Sequence, residues 1–162
     1  MDLVLEDRGR VSVVFFSISE ENLRKALRKP WVSFGSDGGA YTLANSMPTN
    51  ATHPRAYGNF ARLLGRYVRE EKLITLQEAV RRLSALPAAN LHLWRRGRLA
   101  PGYYADVVVF DPATVGDRAT FENGHQYAVG MQHVVVNGVP SMRDGVVTTA
   151  RPGRVLRGLG WT

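Results

Sequence analysis

Apolar positions follow two different periods along the chain. Val11-Ser12-Val13-Val14-Phe15-Phe16 is β-branched and aromatic almost without a break, the pattern of a strand buried on both faces in a parallel sheet. Ser17 through Glu21 then offers capping residues, and Leu23, Ala26 and Leu27 recur at helical spacing before Pro30. A second short apolar stretch, Trp31-Val32-Ser33-Phe34, runs into Gly35-Ser36-Asp37-Gly38-Gly39. The first 40 residues therefore predict β–α–β and then a loop, the repeating unit of an α/β protein.

Residues 38–58 are poor in large apolar groups and read as a long loop, a length that is usually functional or disordered. Helical spacing returns at Phe60, Leu63, Leu64, Tyr67 and Val68, with Phe60, Leu64 and Tyr67 expected in the core. Thr75-Leu76-Gln77-Glu78 has the form of a capping box ahead of Ala79, Val80, Leu83 and Leu86. Pro87 either breaks that helix or begins the next one, and Ala88 through Leu93 adds a further turn or two.

After Arg96 the period changes to that of strands. Asp106-Val107-Val108-Val109-Phe110 lies between the turn signals Pro101-Gly102 and Asp111-Pro112. His133-Val134-Val135-Val136 meets Asn137-Gly138, a strong hairpin signal, and Arg143-Asp144-Gly145 turns into Val146-Val147-Thr148-Thr149. One β–α–β unit and two helices cannot close a barrel, and a strand buried on both faces needs neighbours on both edges. The chain thus reads as part of a larger fold, with exposed edges that predict self-association in isolation.

Composition narrows the field without naming a function. At 162 residues, 44% hydrophobic and 22% charged, the chain has the make-up of one globular domain or two small pieces. It has no cysteine, which excludes disulfides, a thiolate zinc site and a cysteine nucleophile. No apolar run approaches the ~18 residues of a membrane span, and the acidic start Met1 through Asp7 lacks the order of a signal peptide. A soluble, cytoplasmic protein is the expectation. The net charge is +7, yet the arginines stand singly and in pairs, as on solvated helix faces, so nucleic acid is not the expected partner.

Several motifs together resemble the C-terminal part of the N-acyl-D-amino-acid deacylases (D-aminoacylases), a branch of the amidohydrolase superfamily. They are Ser19-Glu20-Glu21-Asn22, Pro30 through Asp37, His53-Pro54-Arg55-Ala56-Tyr57-Gly58, Leu64 through Glu71, Gly97 through Pro112, and Val134-Val135-Val136-Asn137-Gly138. The stretch from Gly97 and the Asn-Gly hairpin are widespread among amidohydrolases; the string from His53 to Gly58 is more specific to this branch. The resemblance implies an α/β fold made of the terminal strand–helix units of a distorted (β/α)8 barrel, followed by part of a small β-sandwich. Residues 1–95 would be the barrel part and 96–162 the sandwich part. Val11–Phe16 and Trp31–Phe34 would be the last two barrel strands, placing Asp37 just past the end of the eighth, where barrel enzymes carry their chemistry.

By the same resemblance, Asp37 shuttles the proton in hydrolysis of an N-acyl-D-amino acid and touches a divalent metal, expected to be zinc. Taken alone, Asp37 is a turn carboxylate among glycines. Arg55 would grip the substrate carboxylate through two parallel hydrogen bonds, a task that suits a guanidinium. His53 is a second substrate-binding group, a metal ligand or a side chain fixing the turn before Pro54. Tyr57 reads as a core or rim residue, Gly35, Gly38 and Gly39 as turn glycines, and Asp106 and Asp111 as turn and cap carboxylates. His92, His125 and His133 share no ligand spacing. The family's His-x-His pair and cysteine do not occur here, and a catalytic zinc needs about three protein ligands. The metal is therefore expected only with an N-terminal barrel part or partner subunit, and the chain alone should be inactive. A non-catalytic interaction module and a basic nucleic-acid binder are the alternatives.

Overall fold

A computed structural model describes residues 2–6, 8–9, 15–39, 41–43 and 52–158. Helix α1 (Asp2–Glu6) is followed by α2 (Glu20–Leu27), whose N-cap Ser19 accepts the Asn22 N–H at 3.2 Å, as the capping residues predict. Helix α3 (Arg55–Arg62) runs without interruption into a wider π-helical segment, π1 (Leu63–Glu70). Thr75 caps α4 (Leu76–Val80) by accepting the Glu78 N–H at 3.2 Å. The box is only half made, because the Glu78 carboxylate turns to Arg81 at 2.8 Å. A second π-helical segment, π2 (Arg81–Ala85), leads directly into α5 (Leu86–Asn90), with Pro87 in its first turn. Proline has no N–H to donate and crowds the carbonyl four residues back. The widened turn before Pro87 lets the helix axis continue through it.

Strands β1 (Val107–Phe110), β2 (Met131–Val136), β3 (Val139–Arg143) and β4 (Val146–Val147) form one antiparallel sheet in that order. Both hairpins turn as their dipeptides dictate. Asn137 and Gly138 have φ of 50° and 81°, and Asp144 and Gly145 have 51° and 76°. Two successive left-handed residues make the turn whose twist matches the flanking strands. Asp106 accepts the Asn137 N–H at 2.8 Å and pairs with Arg96, while Asp111 accepts from Ala113 N and Thr114 Oγ1. These two carboxylates are the turn and cap groups expected of them.

The N-terminal strands differ from expectation. Residues 11–14 lie outside the described set, and Phe15 and Phe16 carry no regular structure and are exposed. Trp31–Phe34 is not a strand, because no neighbouring chain pairs with it among the described residues. Burial nevertheless alternates along 31–37: Val32, Phe34 and Ser36 are half-buried, while Trp31, Ser33, Gly35 and Asp37 are exposed. That period of two belongs to extended chain packed on one face only. The loop expected over 38–58 also ends early, since α3 starts at Arg55.

One core cluster contains Ala61, Leu64, Ala79 and Val115, packed by Phe110 and Met131 of the sheet. The other contains Leu27, Leu63 and Tyr67, packed by Leu23, Phe34 and Leu83. Phe60, expected in the core, is 43% exposed and borders an apolar groove of about 770 Å³ between the helices and β1–β2. Its neighbours Leu64 and Tyr67 take the buried positions instead. Arg82 is fully buried: Nε donates to Val32 O at 2.6 Å, Nη1 to Leu27 O at 2.5 Å, and its guanidinium lies 4.3 Å from the Phe34 ring. Burial of a cation is tolerated only with such compensation, and it pushes the Arg82 pKa down.

Helix α2 is bound to π1 by charge. Glu71 accepts Arg24 Nε and Nη2 at 2.7 and 2.9 Å and Arg66 Nε at 3.0 Å. Glu20 takes Arg24 Nη1 at 3.2 Å and the Tyr67 hydroxyl at 3.2 Å. The Arg24 hydrogen bonds, followed by those of Arg66, hold the Glu71 carboxyl at about 2. A depressed carboxylate pKa gives stability that is complete above the unfolded value and lost as pH falls through the folded one. Acid titration of the denaturation midpoint should show stability falling from about pH 4.5 towards pH 2. Glu71→Gln should be less stable at neutral pH and flatter across that window; an unchanged acid profile would remove Glu71 from the account.

Candidate functional site

The open end of the extended segment carries Asp37, whose side chain is 89% exposed. Its backbone is left-handed, with φ 49°, whereas no positive φ occurs at Gly35, Gly38 or Gly39. The three glycines are therefore not needed for a left-handed turn, although Gly38 has another use. A Cβ there would sit 3.2 Å from Ala56 Cα, so a glycine lets the segment lie against α3. A non-glycine residue in the left-handed region costs roughly 1–2 kcal/mol, and such strain persists where surrounding contacts enforce it.

Those contacts come from one face of α3. Arg55 Nε donates to the Asp37 carbonyl at 3.1 Å, and its Nη2 meets Asp37 Oδ2 at 3.0 Å. Four residues on, Asn59 Nδ2 donates to the Gly35 carbonyl at 3.2 Å. Arg62, on the same side of the helix, pairs with Asp117 Oδ2 at 3.0 Å. Gly58 makes that approach possible, because a Cβ there would meet Asp117 Cβ at 2.6 Å.

His53 fixes the start of this helix. Pro54, in the N-cap position, supplies no side-chain acceptor, and the Arg55 N–H donates instead to His53 Nδ1 at 3.1 Å. The turn-fixing role is thus present in the structure. Burial, followed by the nearby Arg55 cation, pushes the His53 pKa below its usual value, opposed by Asp37. The imidazole is neutral at pH 7, and with Nδ1 accepting, its proton resides on Nε2. The ring packs edge-on against Phe121 at 5.1 Å, and Phe121 also meets Phe16 at 5.0 Å.

His53, Arg55, Asn59 and Arg62 all line an open cavity of about 480 Å³, with Phe34 and Phe121 among its walls. It presents apolar walls with a few convergent polar groups, the usual make-up of a small-molecule site. Tyr57 faces away from the Arg55 fork, with its ring against His125 and Tyr127, which accords with a core or rim role. His125 bonds Thr52 at 2.7 Å and His133 accepts from Asp144 N at 3.2 Å. Among the described residues no three histidine, aspartate or glutamate side chains come together as a metal site. Nor is any helix of the described residues long and apolar enough to cross a membrane.

Sequence reasoning singled out Asp37, Arg55 and His53, and the structure brings all three together. It missed Asn59, Arg62, Asp117 and Phe121. The i, i+4 and i, i+7 spacing of Arg55, Asn59 and Arg62 is a readable signal once the helix is known to start at Arg55. Asp117 and Phe121 come from a distant loop, and no local pattern marks them.

Comparison with known proteins gives the chain a family. The amidohydrolase family model matches residues 2–142. N-acyl-D-glutamate deacylase of Alcaligenes xylosoxydans xylosoxydans is 43% identical over 145 residues, 89% of this chain and 28% of that protein. The crystal structure of N-acyl-D-glutamate deacylase from Bordetella bronchiseptica, complexed with zinc and a phosphonate mimic of the tetrahedral intermediate, superposes with a TM-score of 0.75 at 44% identity. It is covered to 28%, using 88% of this chain. A D-aminoacylase structure concerned with the role of its binuclear metal centre superposes at 0.80 with 41% identity, covering 88% of this chain and 29% of that one. The chain spans about a third or less of the length of these relatives, and within that span it belongs to the amidohydrolase family.

Proposed function

We propose that this chain serves a divalent-metal-dependent amide hydrolase that acts on N-acyl-D-amino acids, supplying its acid–base carboxylate, Asp37, and its carboxylate-binding arginine, Arg55. The observation that carries this reading is the pairing of Asp37 and Arg55 at the open end of an extended segment whose other face is packed on helices. Trp31–Phe34 would then be the last strand of a barrel, Val11–Phe16 the one before it, with the other strands outside this chain, and Asp37 would stand just past the last strand's C-terminal end. Residues 1–95 are the proposed barrel part and 96–162 the proposed β-sandwich part. The substrate class follows from the names of the relatives, N-acyl-D-glutamate deacylase and D-aminoacylase.

The proposed mechanism uses this chain's own groups. Asp37 and Arg55 meet through Nε and Nη2, one edge of the guanidinium. The second edge, Nη1 with Nη2, is the one that can grip a substrate carboxylate in parallel hydrogen bonds. One arginine would thereby hold the substrate beside the carboxylate that takes a proton from the attacking water and delivers it to the departing nitrogen. His53 would lend its Nε2–H as a neutral donor at the cavity wall while its Nδ1 keeps α3 in place. The described residues do not by themselves fit a metal: Asp37 has no two companion ligands. The metal's holders would therefore belong to the remainder of the barrel, and this chain alone would be inactive.

The test joins the chain to, or mixes it with, the missing barrel portion and follows hydrolysis of an N-acyl-D-amino acid. Activity should require both parts, and hydrolysis by the 162-residue chain alone would overturn the division of labour. Asp37→Asn should lower kcat by about 10²–10⁴-fold, the usual worth of a positioned acid–base group, and near-normal turnover refutes its role. Arg55→Lys should raise KM by about 10–100-fold with a smaller change in kcat, because a point charge replaces a planar fork. An unchanged KM takes Arg55 out of the substrate site.

A further inference from the structure

We infer that Asn59 is a positioning residue for Asp37, acting through the Gly35 carbonyl; the inference rests on the proposal that Asp37 performs the proton transfer. Three side chains hold the extended segment by its carbonyls: Arg82 at Val32, Asn59 at Gly35 and Arg55 at Asp37. They are not equivalent. Arg82 is fully buried and stacked on Phe34, so it anchors the far end of the segment. Arg55 is 42% exposed and its partner carboxylate 89% exposed, and such a pair is worth only about 0–1 kcal/mol. Substrate would also compete for that guanidinium.

Asn59 is the other hold that α3 provides near the strained residue, beside the local turn in which Ser36 Oγ accepts the Gly38 N–H at 3.2 Å. It stands one helical turn from Arg55, is half-buried, and engages no substrate-facing charge. Its Nδ2 must be the atom facing Gly35, because a carbonyl can only accept. Asp37 keeps its left-handed φ two residues further on. Without the Asn59 bond, only the local Ser36–Gly38 turn and the exposed Arg55 pair hold this end of the segment, and the Asp37 carboxylate leaves the orientation set beside Arg55. Asn59 thereby converts the fixed position of α3 into a fixed direction for the Asp37 side chain.

The test uses the same joined enzyme, with Asn59→Ala and the near-isosteric Asn59→Asp, which replaces the donor by an acceptor. Both should lower kcat by about 10–100-fold while KM for the N-acyl-D-amino acid stays within about threefold, the reverse of the split expected for Arg55→Lys. In the 162-residue chain, the backbone amide NMR resonances of residues 35–39 should shift in both variants, while amide hydrogen exchange in α2, α3 and α4 stays unchanged. Unaltered kcat in the Asn59 variants, in an enzyme that Asp37→Asn inactivates, overturns the inference about Asn59 alone. Retained activity in Asp37→Asn instead overturns the reading it rests on. Uniformly faster exchange throughout the helices would also overturn it, by making Asn59 a general stability residue.

Discussion

Residues 32–37 have no neighbouring strand among the described residues, and the carbonyls of Val32, Gly35 and Asp37 take hydrogen bonds from side chains instead. Arg82, Asn59 and Arg55 arrive from two different helices, π2 for the first and α3 for the others. This arrangement gives the segment one packed face and one open face. The packed face carries Val32 and Phe34 against the helices, and the open face carries Trp31 and Asp37. The geometry at Asp37 follows from that division: its side chain stands on the open face and meets Arg55 there, while Arg82 and Asn59 hold backbone carbonyls earlier in the segment.

The same reliance on side chains explains how a chain with eighteen arginines uses them. Arg24 and Arg66 converge on Glu71, Arg62 reaches Asp117, Arg69 reaches the Val115 carbonyl, and Arg96 binds Asp106 and Asn137. A planar guanidinium can satisfy two or three acceptors at once, so these residues join elements that apolar contacts alone would leave loose. These five arginines thus act as internal cross-braces. Glycines make the complementary contribution: Gly38 and Gly58 let backbone approach α3 and Asp117 where any side chain would intrude.

The exposed apolar residues fit the same picture. Phe15, Phe16, Ile18 and Trp31 are all more than two-thirds exposed, close in sequence to the open face of the extended segment. A soluble domain rarely leaves such groups together in water. The relatives are about three times longer than this chain, and under the proposed function further barrel strands would cover the open face.

Local sequence determined much of this protein. The caps Ser19 and Thr75, the left-handed pairs Asn137-Gly138 and Asp144-Gly145, and the strand runs after Arg96 fold as their residues dictate, because each depends on neighbours within a few positions. The motif residues Asp37, His53 and Arg55 were likewise visible in the one-dimensional pattern. Tertiary structure decided the rest. Whether Trp31–Phe34 pairs as a strand depends on partners the segment does not carry itself, and Phe60 is exposed because the helices and β1–β2 part at the groove it borders. The grip of Asn59 on Gly35, of Arg82 on Val32 and of Asp117 on Arg62 links residues 24, 50 and 55 positions apart. Contacts of that range leave no periodicity in the sequence, since they are set by how the helices pack and not by any residue's own conformational preference.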